Sequence, residues 1–529
     1  MQYCSVAFLG VFLPLTLLFY GIVPKRKRWL VLLIASYIFF WSLSGKLLIY
    51  LLFSTFSIHH FGLWLDKVFR ERDGLLENCD NENKKSIKKL YENKCKRILF
   101  LACLIHIGVL LYLKYSVFLG SNINSLFELL GISFRFKIHK LLIPIGISFY
   151  TLQGLSYIID VYKGKTQADS NMGRLALFMA FFPCIMEGPI CRYSDTAINL
   201  YEGKLLEYKN ITFGLQRILW GMMKKMVVAD RINPFVKSIF LGYEKFDGFI
   251  ILMGAILYTV QLYMDFSGTM DMVIGISEMF GIRLPENFRQ PFFSKNISDF
   301  WSRWHITLGT WFKDYIFYPV SLSKHLKKVT LVSRKYLGKH AGALFSGSIA
   351  LFFVWICNGL WHGAAWTYIF FGLYHFFLIV LGNIFTPLVI KICKILKINC
   401  KNFAYQGLQI CKTCVLIVFG ELIFRAYTLE SAFLCIKKIF CDFTFLGVKN
   451  GTLFNLGLDR HDFFIIILIS LVVFISSVLK ERGVNIRESV ASKNVFVRWS
   501  LYYLLILIII IFGAYGVGYK PVDPLYANF

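Results

Sequence analysis

From Ala341 to Ile390 the chain runs for fifty residues without a single Asp, Glu, Lys or Arg. A helix needs only about 20 apolar residues to cross a bilayer. A run of this length therefore implies a pair of helices in lipid and excludes the half-polar surface of a water-soluble fold. The rest of the 529-residue sequence agrees, with 57% of residues hydrophobic and 17% aromatic. Thirteen charge-poor segments, from Val6 to Val23 at one end to Trp499 to Gly516 at the other, predict an all-α polytopic membrane protein with roughly 11–13 transmembrane helices. Several are interrupted, by Pro144 and Gly146 and by Pro183, Gly188 and Pro189. Irregular backbone at membrane depth survives only where protein or a cavity lines it, so these breaks predict broken or re-entrant segments.

The net charge of +27 would suggest nucleic acid in a soluble protein. Here the excess of Lys and Arg in cytoplasmic loops accounts for it, and no nucleic-acid partner is expected. Lys25-Arg-Lys-Arg28 marks the first loop as cytoplasmic, and Asp66 to Arg97, with ten Lys/Arg against seven Asp/Glu, falls on the same side. The N-terminus is then extracytoplasmic in a multi-pass protein of the cell membrane. Its apolar start has no basic leader and no small-residue cleavage site, so it reads as a retained span. The longest polar stretches, Asp66 to Arg97 and Ser321 to His340, are loop-sized, which predicts one membrane-embedded domain over 1–529. Cys411-Lys-Thr-Cys414 has no second pair at metal-ligand spacing, so packing is expected there and no metal site.

Five pieces between Pro144 and His375 carry polar chemistry. Ile143 to Tyr157 scatters Ser148, Tyr150, Thr151, Gln153, Ser156 and Tyr157 along a span, as interhelical glue or as cavity lining. Phe181 to Tyr193 places Glu187 and Arg192 beside helix-breaking prolines; the guanidinium suits an anionic group, or the two simply pair. Gln261 to Gly275 sets Asp265 and Asp271 in apolar surroundings, where a carboxylate orients a histidine, binds a cation or pairs with a backbone group or an arginine. In Asn287 to Pro319, Ser298 is placed to cap a helix on which Trp301, Trp304, His305, Leu308, Trp311 and Phe312 recur at three- and four-residue spacing. His305 on that stripe is a core residue or a catalyst. The fifth piece, Asn358-Gly-Leu-Trp-His-Gly-Ala-Ala-Trp366, brackets His362 with glycine and tryptophan inside the uncharged run. Burial disfavours the imidazolium, so His362 is either a poised neutral base or a hydrogen-bonded structural residue. His375, in a similar run without that setting, ranks below it.

Together the motifs Pro144-Ile-Gly-Ile-Ser-Phe-Tyr150, Gly188-Pro-Ile190, Asp265-Phe-Ser-Gly268, Phe300-Trp-Ser-Arg-Trp-His305 and Gly359-Leu-Trp-His-Gly363 resemble the membrane-bound O-acyltransferase family. The likeness is greatest to the bacterial branch that contains alginate and peptidoglycan O-acetyltransferases and teichoic acid D-alanyl transferases. It covers about Ile143 to Leu381, with Phe12-Leu-Pro14 and the Pro524-Leu-Tyr-Ala-Asn-Phe529 end; spans from Gln406 onward are additional. Two departures stand out: Glu187, where relatives tend to have a small residue before Gly-Pro, and Cys184, where a polar residue is common.

The resemblance implies that His362 is the catalytic histidine and His305 its second histidine. It also implies a central tunnel, for which Asp265, Ser267, Trp361, Asn358, Trp304, Arg303 and Arg192 are candidate linings. The implied reaction is O-acetylation of an extracellular or cell-wall polysaccharide. An acyl thioester, acetyl-CoA or a carrier-protein thioester, is then a substrate, and no bound cofactor is needed. A cytoplasmic acyl carrier and an extracellular or periplasmic acetyltransferase are the implied partners, besides the bilayer. The alternative within the family is D-alanyl transfer to teichoic acid. The alternative of another class is a proton-coupled transporter, since broken helices, paired Asp residues and intramembrane histidine also suit proton movement. The bend that would hold His362 within the membrane is expected at Gly359 and Gly363.

Overall fold

A computed structural model describes residues 1–78, 80–139 and 141–515. The Pro524 to Phe529 motif and the last residue of the Trp499 to Gly516 span lie outside the described residues. Every regular element among those described is helical, and the one β-bridge pairs Phe288 with Trp304. Eight helical stretches are long and apolar enough to cross a membrane. The larger number expected from sequence resolves in two ways. Leu30 to Trp41 and Leu47 to Leu65 form the successive helices Arg28–Ser44 and Leu48–Glu77, which break at Gly45, φ 52°, inside the apolar stretch Lys25–Glu77, and the segments broken by proline and glycine form short helices such as Ile147–Tyr162 and Met172–Ala180. The described chain divides into two compact units: Met1–Leu215 with Val273–Pro285, and Gln216–Met272 with the described residues from Glu286 onward.

In the first unit, Ile147–Tyr162 is buried along almost its whole length, so its hydroxyl and amide side chains face protein. The bend after Met172–Ala180 frees backbone carbonyls that no helix satisfies. Tyr3 donates its hydroxyl to Phe182 O at 2.8 Å and Pro183 O at 2.9 Å, and Ser36 accepts from Phe182 N at 3.0 Å. Phe8, Phe12 and Phe39 pack around the Phe182 ring. Non-helical backbone is thus supported by side chains, as a water-free setting requires.

In the second unit the segment around residue 221 crosses the helix Gly248–Met279 at glycines. A Cβ on Gly221 would stand 2.4 Å from Gly268 O, so only glycine permits the approach. Just beyond the crossing, Met223–Ala229 widens into a π-helical turn, a local form frequent at functional sites. The uncharged run forms the hairpin of Lys324–His362 and Trp366–Ile395. Its first helix breaks at Gly338, φ 82°, and folds back so that Ser333 Oγ lies 3.2 Å from Gly342 O.

The expected bend falls at Gly363 and not at Gly359. Gly359 stays helical because it is the point of close packing within the hairpin, where an added Cβ would lie 2.5 Å from Tyr368 O. Gly359→Val should therefore lower thermal stability in detergent by about 1–3 kcal/mol through overpacking. An unchanged melting curve would contradict this packing.

Candidate functional site

The stripe that reads as one helix is two. Ile297–Arg303 is capped by Asn296, whose side chain accepts from Asp299 N at 2.8 Å, not by Ser298. Ile306–Phe312 follows, and His305 between them adopts left-handed backbone at φ 47°, ψ 51°. Such a conformation costs a non-glycine residue about 1–3 kcal/mol, so its surroundings must hold it. A strand-like segment before the first helix does so: Arg289 N donates to Arg303 O at 2.9 Å and Ile306 N to Asn287 O at 3.0 Å. Asn287, fully buried, accepts through Oδ1 from Thr307 N at 3.0 Å and Thr307 Oγ1 at 2.8 Å, and lies 3.4 Å from His305 Nδ1.

This turn sets His305 in a ring of aromatics. Its imidazole meets Phe266 edge-on at 4.8 Å and Trp361 at 5.4 Å between centroids. Trp361 in turn lies 4.9 Å from the His362 ring, and Phe371 and Phe424 close on His362 at 5.9 and 5.0 Å. The structure therefore gathers His305, Trp361 and His362 into one buried cluster. Both histidines are at most 4% exposed.

Next to this cluster lies a buried ionic network. Lys225 Nζ contacts Asp265 Oδ1 at 2.6 Å and Asp230 Oδ1 at 3.1 Å. Lys224 Nζ contacts Asp271 Oδ2 at 2.6 Å and donates to Ser267 Oγ at 2.9 Å. Arg217 pairs with Asp271 at 2.9 Å and with Glu286. Both aspartates are ion-paired, Asp265 with lysine and Asp271 with lysine and arginine. Buried charges are tolerated when paired in this way. A cavity of about 60 Å³ opens among these groups, lined in part by Arg217, Lys224, Tyr263, Ser267, Asp271 and Asn287.

The other candidates divide. Trp304 is packed in the aromatic cluster with Phe288 at 5.0 Å and Tyr263 at 6.1 Å. Arg303 is tied to Asp299 at 2.9 Å and to Glu481 at 2.9 Å, a structural bracing. Asn358 is buried four residues before His362. Arg192 belongs to the first unit, at the start of Tyr193–Tyr201, while the histidines belong to the second. Cys411 and Cys414 are free thiols, and no cluster of potential metal ligands occurs among the described residues.

Sequence reasoning missed Asn287, Lys224 and Lys225. Two adjacent lysines within an apolar run were a visible anomaly; nothing local marked Asn287. Asn287→Ala would strip the acceptor from Thr307 and loosen the His305 turn. The expected result is a loss of about 1–3 kcal/mol in stability together with reduced acyl transfer, read by detergent melting and transfer assay on one preparation.

With this geometry in view, comparison with known proteins is decisive. The sequence profile of the membrane-bound O-acyltransferase family matches residues 169–334. A probable alginate O-acetylase of Pseudomonas aeruginosa is 33% identical over 442 residues, 83% of this chain and 75% of that protein. The chain belongs to the membrane-bound O-acyltransferase family. It is an acyltransferase and a multi-pass membrane protein. A peptidoglycan O-acetyltransferase of Helicobacter pylori is 32% identical over 319 residues, 55% of this chain and 56% of that one. A teichoic acid D-alanyltransferase of Bacillus subtilis is 34% identical over 251 residues, 47% and 60% of the two chains. The alginate relative thus parallels this acyltransferase over most of its length, beyond the segment that the profile covers.

Proposed function

We propose that the protein O-acetylates an extracellular or cell-wall polysaccharide, drawing the acetyl group from a cytoplasmic thioester, acetyl-CoA or an acylated carrier protein. The observation that carries this reading is the His305–Trp361–His362 cluster in a chain whose long alignments are to O-acetylases.

In the proposed step, neutral His362 removes the proton from an acceptor hydroxyl as its oxygen attacks the thioester carbonyl. The C–S bond breaks, and the imidazolium returns the proton to the departing thiolate. His305, fixed by the Asn287 turn, orients the acceptor or the His362 ring. Trp361, Asn358, Trp304, Arg303 and Ser267 shape the path, and Asp265 does so through its pair with Lys225. Arg192 offers a fork for an anionic part of a substrate. The N-terminus faces outward, and an extracellular acetyltransferase completes transfer to the polymer.

The test is reconstitution in proteoliposomes with a labelled acetyl thioester on the cytoplasmic side and polysaccharide with the extracellular acetyltransferase on the outer side. Acetyl label on an outer polysaccharide is expected. Label carried only from a D-alanyl carrier would favour the teichoic acid reading, for which the alignment to D-alanyltransferase speaks. Topology has its own check: a cysteine introduced at Arg26 should react with an impermeant maleimide only from the cytoplasmic side, and reaction from outside would reverse the proposed orientation.

A further inference from the structure

His375 sits on the second helix of the hairpin, Trp366–Ile395, and is completely buried. Its ring is enclosed by Trp301 at 4.9 Å, Trp355 at 5.4 Å and Phe371 at 4.6 Å. Neither of its ring nitrogens has a hydrogen-bond partner among the described residues, and the same holds for Trp301 Nε1 and Asn358 Oδ1. Each buried polar atom left unpaired costs about 1–3 kcal/mol. A phenylalanine at 375 would fill the same aromatic box without that cost. Polar atoms so placed call for bound water, which needs two to four polar partners.

The positions of these groups along the chain give the niche a purpose. Trp301 lies on Ile297–Arg303, the helix that leads into the His305 turn, and His375 on the helix that follows His362 in the hairpin. Phe371 touches both the His375 ring and the His362 ring. Gly420 packs close against the ring, and an added Cβ there would come within 2.7 Å of Nε2 and crowd any group bonded to it.

We propose that His375 and Trp301 bind water in a niche that ties the segment leading into His305 to the hairpin that presents His362, making His375 a positioning residue for acyl transfer. This rests on the acyl-transfer reading above. Water held there bridges the indole N–H and the imidazole, and so sets the spacing of the two histidine-bearing segments. It takes no part in bond making, and His375 touches no substrate.

The test compares His375→Phe, His375→Gln and Gly420→Ala in the full-length protein, with His362→Ala as control. His375→Phe should lower kcat roughly 10- to 100-fold with KM little changed, because misplacement by about 1 Å costs that much. His375→Gln, which keeps hydrogen-bonding atoms, should recover most of the loss, a pattern that packing alone would not give. Gly420→Ala should behave like His375→Phe. Parental kcat in His375→Phe, or no better kcat in His375→Gln, would overturn the proposal. Where a variant does not fold, a high-resolution cryo-EM map of the parent decides: density bonded to His375 supports the niche, and a dry niche overturns it. Parental activity in His362→Ala would instead overturn the acyl-transfer reading and leave the map to judge the niche.

Discussion

His362→Ala should reduce acyl transfer about 10²- to 10⁴-fold, the contribution of a positioned general base, or roughly 3–5 kcal/mol of barrier. The loss should fall on kcat, because the imidazole acts as the acceptor proton moves. His362 also packs against Phe371 and Phe424, so truncation to alanine opens a cavity at the end of Lys324–His362. His362→Gln separates the two effects, since it keeps volume and polarity but cannot serve as the base. Both variants should be equally inactive, with His362→Gln close to the parent in thermal stability. Substantial transfer by either would remove His362 from the chemistry.

The second large effect is expected at Lys225. Its ammonium lies 2.6 Å from Asp265 and 3.1 Å from Asp230, all three side chains being largely buried. Lys225→Met leaves two carboxylates facing each other without a cation, and breaking a buried ion pair from one side costs about 3–5 kcal/mol. We expect poor accumulation in the membrane and a correspondingly early melting transition. Removing all three charges at once, Lys225→Met with Asp265→Leu and Asp230→Leu, should restore much of the stability, because apolar replacement of buried pairs is often neutral or better. A Lys225→Met protein as stable as the parent would show that the network braces nothing. The same arrangement bears on the transporter alternative, since Asp265 and Asp271 are engaged by lysine and arginine.

How far the sequence could be read depends on how local each interaction is. The hairpin around His362 was legible because fifty uncharged residues leave a chain few options in lipid. The breaks at Pro144 and Pro183 were legible because proline and glycine act within a turn. The course of the chain through His305 was not. Three- and four-residue spacing of tryptophans is what a helix would give, yet hydrogen bonds donated to Asn287 by Ile306 N and Thr307 N, and by Arg289 N to Arg303 O, capture the backbone at 303–307 and force His305 to positive φ. Those partners lie fourteen to twenty residues upstream of the groups they bind, beyond the reach of periodicity. Asp265 and Asp271 were visible as costly groups, but Lys224 and Lys225 lie some forty residues away and meet them only through the glycine crossing at 221 and 268. Gly359 resembled a hinge, and tertiary packing against Tyr368 made it a contact instead.

The most direct test of the central claim is transfer by purified protein in proteoliposomes, with acetyl thioester labelled in the acyl group inside and, outside, polysaccharide together with the extracellular acetyltransferase. The account predicts acetyl ester label on the polymer from the parent protein, and none above background from His362→Gln. Equal labelling by the two would contradict it.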